Sequence, residues 1–243
     1  MIEHVDESKW TAALARPDGY LDLQHDIHNI LEKPTAMTDE EHDNFKDHAY
    51  AMVERLMAEG KVVLGQEGYD FDTGRQLIDT VVIHHTANPP GIRLSLLNAE
   101  QLIRLYMPYY ANPTLEQEMS IKGQPLFSGH YYHDQQVFWA YHWQVRDDGT
   151  YERILEDRYV GWHAGSWDVN CRSVGICLDG DFRHVDPNEK MLEAVAEIVR
   201  SKYPQIRSAR ILGHMEVVTT KCPGKNFLDG WKQNILAGVA KDA

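Results

Sequence analysis

The chain has 243 residues, 43% of them hydrophobic, enough to bury the core of one medium domain carrying an extension or a second small domain. Its 24 basic and 37 acidic residues leave a formal charge of -13, which disfavours a nonspecific grip on nucleic acid or anionic lipid. No segment approaches the apolar length that spans a bilayer, and the start (Met1, Ile2, Glu3, His4) lacks the basic and apolar stretches of a secretory signal, so synthesis in the cytoplasm without membrane insertion is expected.

Residues 1–75 read as a helical N-terminal extension. Residues 20–31 have a weak helical pattern, with His25 and His28 three apart on what reads as a solvated polar face. Thr38 followed by Glu41 is a capping-box pattern; Phe45, Ala49, Met52, Val53, Leu56 and Met57 recur at helical spacing, and Gly60 supplies a stop. From residue 76 the texture changes to strands alternating with helices. Residues 81–85 predict a short buried strand, and Asn98, Ala99, Glu100 and Gln101 predict a helix start. Residues 108–136, rich in tyrosine, proline and glycine and holding His130 and His133, show no clear period and read as an insertion near the site. Residues 139–146 alternate, Asp148 and Gly149 signal a hairpin, and 151–155 supply the return strand.

Residues 173–178 read as a further strand. Asp186, Pro187, Asn188 and Glu189 predict a helix start, with Met191, Leu192, Val195, Ile198 and Val199 on one face and Pro204 as its end. Ile211, Leu212 and Gly213 predict a strand that delivers His214, and the apolar spacing from Phe227 to Val239 predicts a last amphipathic helix. This order implies an α/β domain over 76–243, a mixed central β-sheet flanked by helices. Of three cysteines, Cys171 and Cys177 sit too close in sequence, across a strand, to favour a disulfide, and reduced thiols are expected.

Three pieces far apart carry the chemistry: Val81, Val82, Ile83, His84, His85 and Thr86; Gly213 and His214; and Lys221, Cys222, Pro223 and Gly224. Two histidines and a cysteine can hold zinc with one position left open for water. On a strand His84 and His85 point to opposite faces, so at most one reaches a given site, and periodicity does not choose between them. A loop through Pro223 and Gly224 can fold Cys222 back toward His214. Glu216 is the nearest carboxylate to a ligand and reads as a solvated loop residue.

With Ala140, Tyr141, His142 and Trp143 before Asp147, Asp148 and Gly149, then Gly161, Trp162, His163, Ala164 and Gly165, then Ser173, Val174, Gly175 and Ile176, these pieces resemble in order the zinc-dependent N-acetylmuramoyl-L-alanine amidase family. That family includes phage lysozyme-type amidases and animal peptidoglycan recognition proteins, and the resemblance runs from about Asp79 to Trp231. It implies His84, His214 and Cys222 as zinc ligands, with His85 in a supporting role. It implies Tyr141 and Thr220 as catalytic residues; Thr220 stands where bacterial and phage members often place a lysine. Trp162 and His163 would line the muramyl-peptide groove, with Asn170 and Arg172 as softer candidates for binding the acidic stem.

The activity implied is hydrolysis of the amide between N-acetylmuramic acid and the L-alanine of the stem peptide, with peptidoglycan or a muropeptide as partner. It would suit a cell-wall lytic enzyme released by a separate route. A peptidoglycan-binding module without catalysis is a second reading, opposed by the full set of ligand types. A cytosolic muropeptide-recycling amidase is a third, opposed by Cys222, where that branch usually has aspartate.

Overall fold

The computed structural model describes residues 5–112 and 121–242. The start of the chain, read above for a signal, and residues 113–120 of the tyrosine-rich stretch lie outside the described residues. In chain order the elements are α1 (Glu7–Leu14), α2 (Gln24–Leu31), α3 (Asp39–Ala58), β1 (Thr80–His85), α4 (Leu94–Gln101), α5 (Met107–Ala111), β2 (Tyr131–Tyr132), β3 (Gln135–Gln136), β4 (Trp143–Val145), β5 (Tyr151–Arg153), α6 (Trp167–Arg172), β6 (Ser173–Leu178), α7 (Glu189–Lys202), β7 (Ile211–Gly213) and α8 (Lys232–Val239). No described helix is long and apolar enough to cross a membrane. Cys171, Cys177 and Cys222 form no disulfide among the described residues.

Contacts divide the chain into two compact units, residues up to Asp70 with Arg93–Phe138, and Phe71–Ile92 with the chain from Trp139 onward. In the first unit, α3 begins on a complete capping box. Thr38 Oγ1 accepts from the Glu41 N–H at 3.2 Å and Glu41 Oε2 accepts from the Thr38 N–H at 2.8 Å, so two donors that the helix leaves unpaired are satisfied. Phe45, Ala49, Met52, Val53 and Leu56 are buried along one face of the helix. Tyr20 ties this helical region to a distant stretch of chain, its hydroxyl donating to the Gln124 carbonyl and accepting from the Gly123 N–H.

The expected helix start at Asn98 is corrected. Helix α4 begins four residues earlier, at Leu94, and Asn98 lies buried within it, accepting the Phe138 N–H. The short side chain that suits asparagine to a cap is here used by a remote backbone donor. A π turn, Leu102–Tyr106, then leads into α5, so the segment from 108, expected to lack a period, opens helical. Pro108, which has no N–H to donate, follows directly on that π turn within a continuous helical run. The β2–β3 hairpin follows, with Tyr131 and Tyr132 exposed.

The second unit is built on a five-stranded sheet in the order β5-β4-β6-β1-β7. Strands β4, β6, β1 and β7 run parallel, and β5 pairs antiparallel with β4. Every residue of β1 and β6 is buried, as central strands of a parallel sheet require, which is why residues 81–85 read as a continuous apolar run. The expected strand over 139–146 is shorter than its alternation suggested: only Trp143–Val145 joins the ladder. The β4–β5 turn places Gly149 at φ +88, a conformation that glycine adopts without steric cost. Strand alternation sorts the two faces. Val81, Ile83, Val174, Ile176 and Ile211 join α7 residues such as Val195 in one core cluster. Thr80, Val82, His84, Ser173, Gly175 and Cys177 share the opposite face, in the register Thr80 to Ser173, Val82 to Gly175 and His84 to Cys177.

Candidate metal centre

The centre forms at the carboxyl ends of β1 and β7, where parallel sheets commonly present their functional groups. His84 closes β1 and is 1% exposed. His214 follows β7 directly and opens a single 3-10 turn. The chain then loops back, and the Met215 N–H donates to the Cys222 carbonyl at 2.9 Å, which closes the loop and brings the thiol to His84. Cys222 Sγ lies 3.7 Å from His84 Nδ1 and accepts the His85 backbone N–H at 3.4 Å. The ligand atoms of His84, His214 and Cys222 all lie within 4.8 Å of one another. Zinc–nitrogen and zinc–sulfur bonds of about 2.0 and 2.3 Å at a tetrahedral angle put neighbouring ligand atoms about 3.5 Å apart. The donor set and spacing therefore fit a zinc ion after small side-chain movements.

His85 faces the other way: its Nδ1 accepts the Phe182 N–H at 3.0 Å, so only its backbone reaches the centre. Tyr141 is half-buried, with its ring centroid 5.1 Å from that of His84. Thr220 Oγ1 accepts the Cys222 N–H at 3.2 Å, which leaves its own hydroxyl proton free to be donated. Glu216, read from sequence as a solvated loop residue, is bound on two sides, accepting the Gly213 N–H and pairing with Lys232.

The four residues read as substrate contacts fall in different settings. Trp162 is half-buried and packs edge-on against Phe71 at 4.8 Å. His163 is 5% exposed and uses both ring nitrogens inside the protein, Nδ1 with His84 Nε2 at 2.9 Å and Nε2 with Ser173 Oγ at 3.2 Å. Asn170 is buried and accepts the Ala164 N–H at 2.8 Å, bracing the loop that carries His163. Arg172 spreads its guanidinium over Asp79 and Asp168. Of the histidines outside the centre, His25 and His28 are exposed on α2, His130 is buried, and His133 sits at the tip of the β2–β3 hairpin.

Ser173, Gly175 and Arg75 belong to the site's support and were not singled out for it in the sequence. A Cβ at position 175 would lie 2.9 Å from the His163 ring, so glycine is what lets that ring lie flat on β6. Arg75 donates to the carbonyls of Asp157, Asn170 and Ser173, pinning the α6–β6 junction. The alternation of β1 and β6 was the available signal for Ser173 and Gly175, since it puts them on the His84 face; nothing local marked Arg75.

Burial holds His84 well below the ordinary imidazole range, with His214 and His163 nearby adding to the effect. His163 is depressed in the same way, first by burial and then by His142 and His214. Both rings are neutral in the folded protein near pH 7, while the unfolded chain protonates at about 6.5. As pH falls below that value the unfolded state binds more protons, so the metal-free protein is expected to lose stability from about pH 6.5 downward and to be insensitive to these two groups above about 7.5. Denaturation midpoints measured across that range check this; a midpoint that rises on acidification contradicts it.

A profile described as N-acetylmuramoyl-L-alanine amidase matches residues 73–225. The endolysin of Escherichia phage T7 is 28% identical over 102 residues, 40% of this chain and 66% of the phage protein, and the endolysin of Klebsiella phage KP32 is 29% identical over the same length and shares. The chain thus spans just under two thirds of these curated relatives. Among solved structures, the endolysin N-acetylmuramoyl-L-alanine amidase LysCS from Clostridium intestinale is 21% identical, with a TM-score of 0.46 over 72% of this chain and 94% of that one.

Proposed function

Because the chain belongs to the N-acetylmuramoyl-L-alanine amidase family, we propose that it hydrolyses the amide joining the lactyl group of N-acetylmuramic acid to the L-alanine of a peptidoglycan stem peptide. The observation that carries this reading is the convergence of His84, His214 and Cys222 on one point, with ligand atoms within 4.8 Å of one another. These residues would hold zinc through two neutral imidazoles and a thiolate, a set that leaves a net charge of about +1 and an open position. Zinc there supplies Lewis acidity toward water and toward the amide carbonyl.

The chain's own groups supply the rest. The Tyr141 hydroxyl donates to the oxygen that becomes negative as the amide carbon turns tetrahedral, and the Thr220 hydroxyl, its proton free, is a second donor. Trp162 offers an apolar wall for the sugar or peptide. Asn170 and Arg172 act on the substrate by bracing the loop and helix that shape the groove. The ligand set favours catalysis over recognition alone, because a module that only binds has no use for a thiolate beside two imidazoles, one of them fully buried. A wall-lytic role fits the relation to phage endolysins.

Removal and return of the metal tests the proposal. Dialysis against a chelator is expected to abolish amide hydrolysis, and one equivalent of zinc to restore it; activity that survives complete removal would refute the zinc reading.

A further inference from the structure

The His163 contacts form a directed chain of hydrogen bonds that ends at the metal centre. Its far end fixes its polarity. The Ser173 hydroxyl donates to the Val169 carbonyl at 2.6 Å, and a carbonyl can only accept, so the one hydroxyl proton is committed there. Ser173 Oγ, 3.2 Å from His163 Nε2, must then be the acceptor of a proton carried on that nitrogen. His163 is buried and these partners carry no charge, so the ring is neutral and its Nδ1 holds a lone pair. That lone pair faces His84 Nε2 at 2.9 Å and requires the proton to sit on Nε2. A neutral His84 with its proton on Nε2 has its own lone pair on Nδ1, the atom 3.7 Å from Cys222 Sγ.

We propose that His163, held by Ser173, is the positioning residue that locks His84 in the tautomer whose Nδ1 lone pair points at the metal. This rests on the reading of His84, His214 and Cys222 as a zinc centre, and it assigns His163 to the support of the centre instead of the substrate groove. The rest of the site serves the same end. Gly175 leaves room for the His163 ring, and Arg75 and Asn170 fix the segments that carry Ser173 and His163. Outer partners that orient a ligating imidazole are typically worth 10–100-fold in metal affinity.

Two substitutions separate the hydrogen bond from simple space filling. His163→Leu fills much of the ring volume but cannot accept a proton. His163→Asn leaves more empty space, yet its amide oxygen stands near the place of Nδ1 and can accept from His84 Nε2–H. Zinc affinity by chelator competition is expected to fall about 10–100-fold in His163→Leu and to stay within a few-fold of wild type in His163→Asn. Nitrogen NMR of the metal-free wild-type protein, labelled at histidine, is expected to show His84 protonated on Nε2. Equal affinities in all three proteins, equal losses in both variants, or a His84 proton on Nδ1 would overturn the proposal. A wild type that binds no zinc would refute the metal reading by itself, and the NMR would still decide the tautomer.

Discussion

Cys222→Ser is expected to cost more than 100-fold in zinc affinity and to bring amide hydrolysis to background. The substitution keeps the shape of the side chain and an acceptor for the His85 N–H, so the loop closed by Met215 and Cys222 should persist. What it removes is the thiolate. A cysteine beside zinc ionises readily, whereas a serine hydroxyl does not, and a neutral hydroxyl is a poor partner for the ion. The loss should exceed the 10–100-fold typical of an outer-shell partner, because a direct ligand is gone. Metal content of the purified variant and product release under saturating zinc measure the two effects. A variant that keeps one zinc per chain and turns over normally would remove Cys222 from the centre.

Tyr141→Phe is expected to lower kcat by 100- to 1000-fold, about 2.7–4 kcal/mol, with zinc content unchanged and KM little affected. The tyrosine ring lies beside His84 with centroids 5.1 Å apart, and phenylalanine preserves that packing. Only the hydroxyl is lost, and a hydroxyl that donates to charge developing in the transition state contributes to kcat far more than to substrate affinity. A kcat within threefold of wild type would assign Tyr141 a packing role, like that of its buried neighbours Trp139 and Trp143.

What was legible in the sequence was what local chemistry decides. The Thr38 and Glu41 capping box, the α7 start at residues 186–189, the Asp148–Gly149 turn and the apolar run that makes the body of β1 each follow from interactions a few residues long. That His84, and not His85, gathers with His214 and Cys222 was legible only from the family resemblance, since strand alternation alone left the two histidines open. The failures came where distant backbone intervened. Asn98 reads as a cap because nothing in its neighbourhood reveals that Phe138 claims its side chain. Residues 139–142 alternate like a strand, yet regular strand begins only at Trp143; at His142 the backbone N–H donates to the Gly175 carbonyl while the ring Nδ1 accepts the Gly175 N–H and Nε2 donates to the Tyr159 carbonyl. The helical texture of the early chain gave no sign that Arg93–Phe138 forms one compact unit with the residues up to Asp70. His163 shows the same limit: its motif marked it as important, but only the register of β1 and β6 brings it between Ser173 and His84.

The most direct test of the account is mass spectrometry of purified sacculi and of soluble muropeptides after incubation with the zinc-loaded protein, alongside Cys222→Ser and a chelated sample. Free stem peptides beginning with an L-alanine amino group, present with the loaded protein and missing from both controls, are the predicted result. Binding of these substrates by the zinc-loaded protein without release of any such peptide would contradict it and leave a recognition module in place of an amidase.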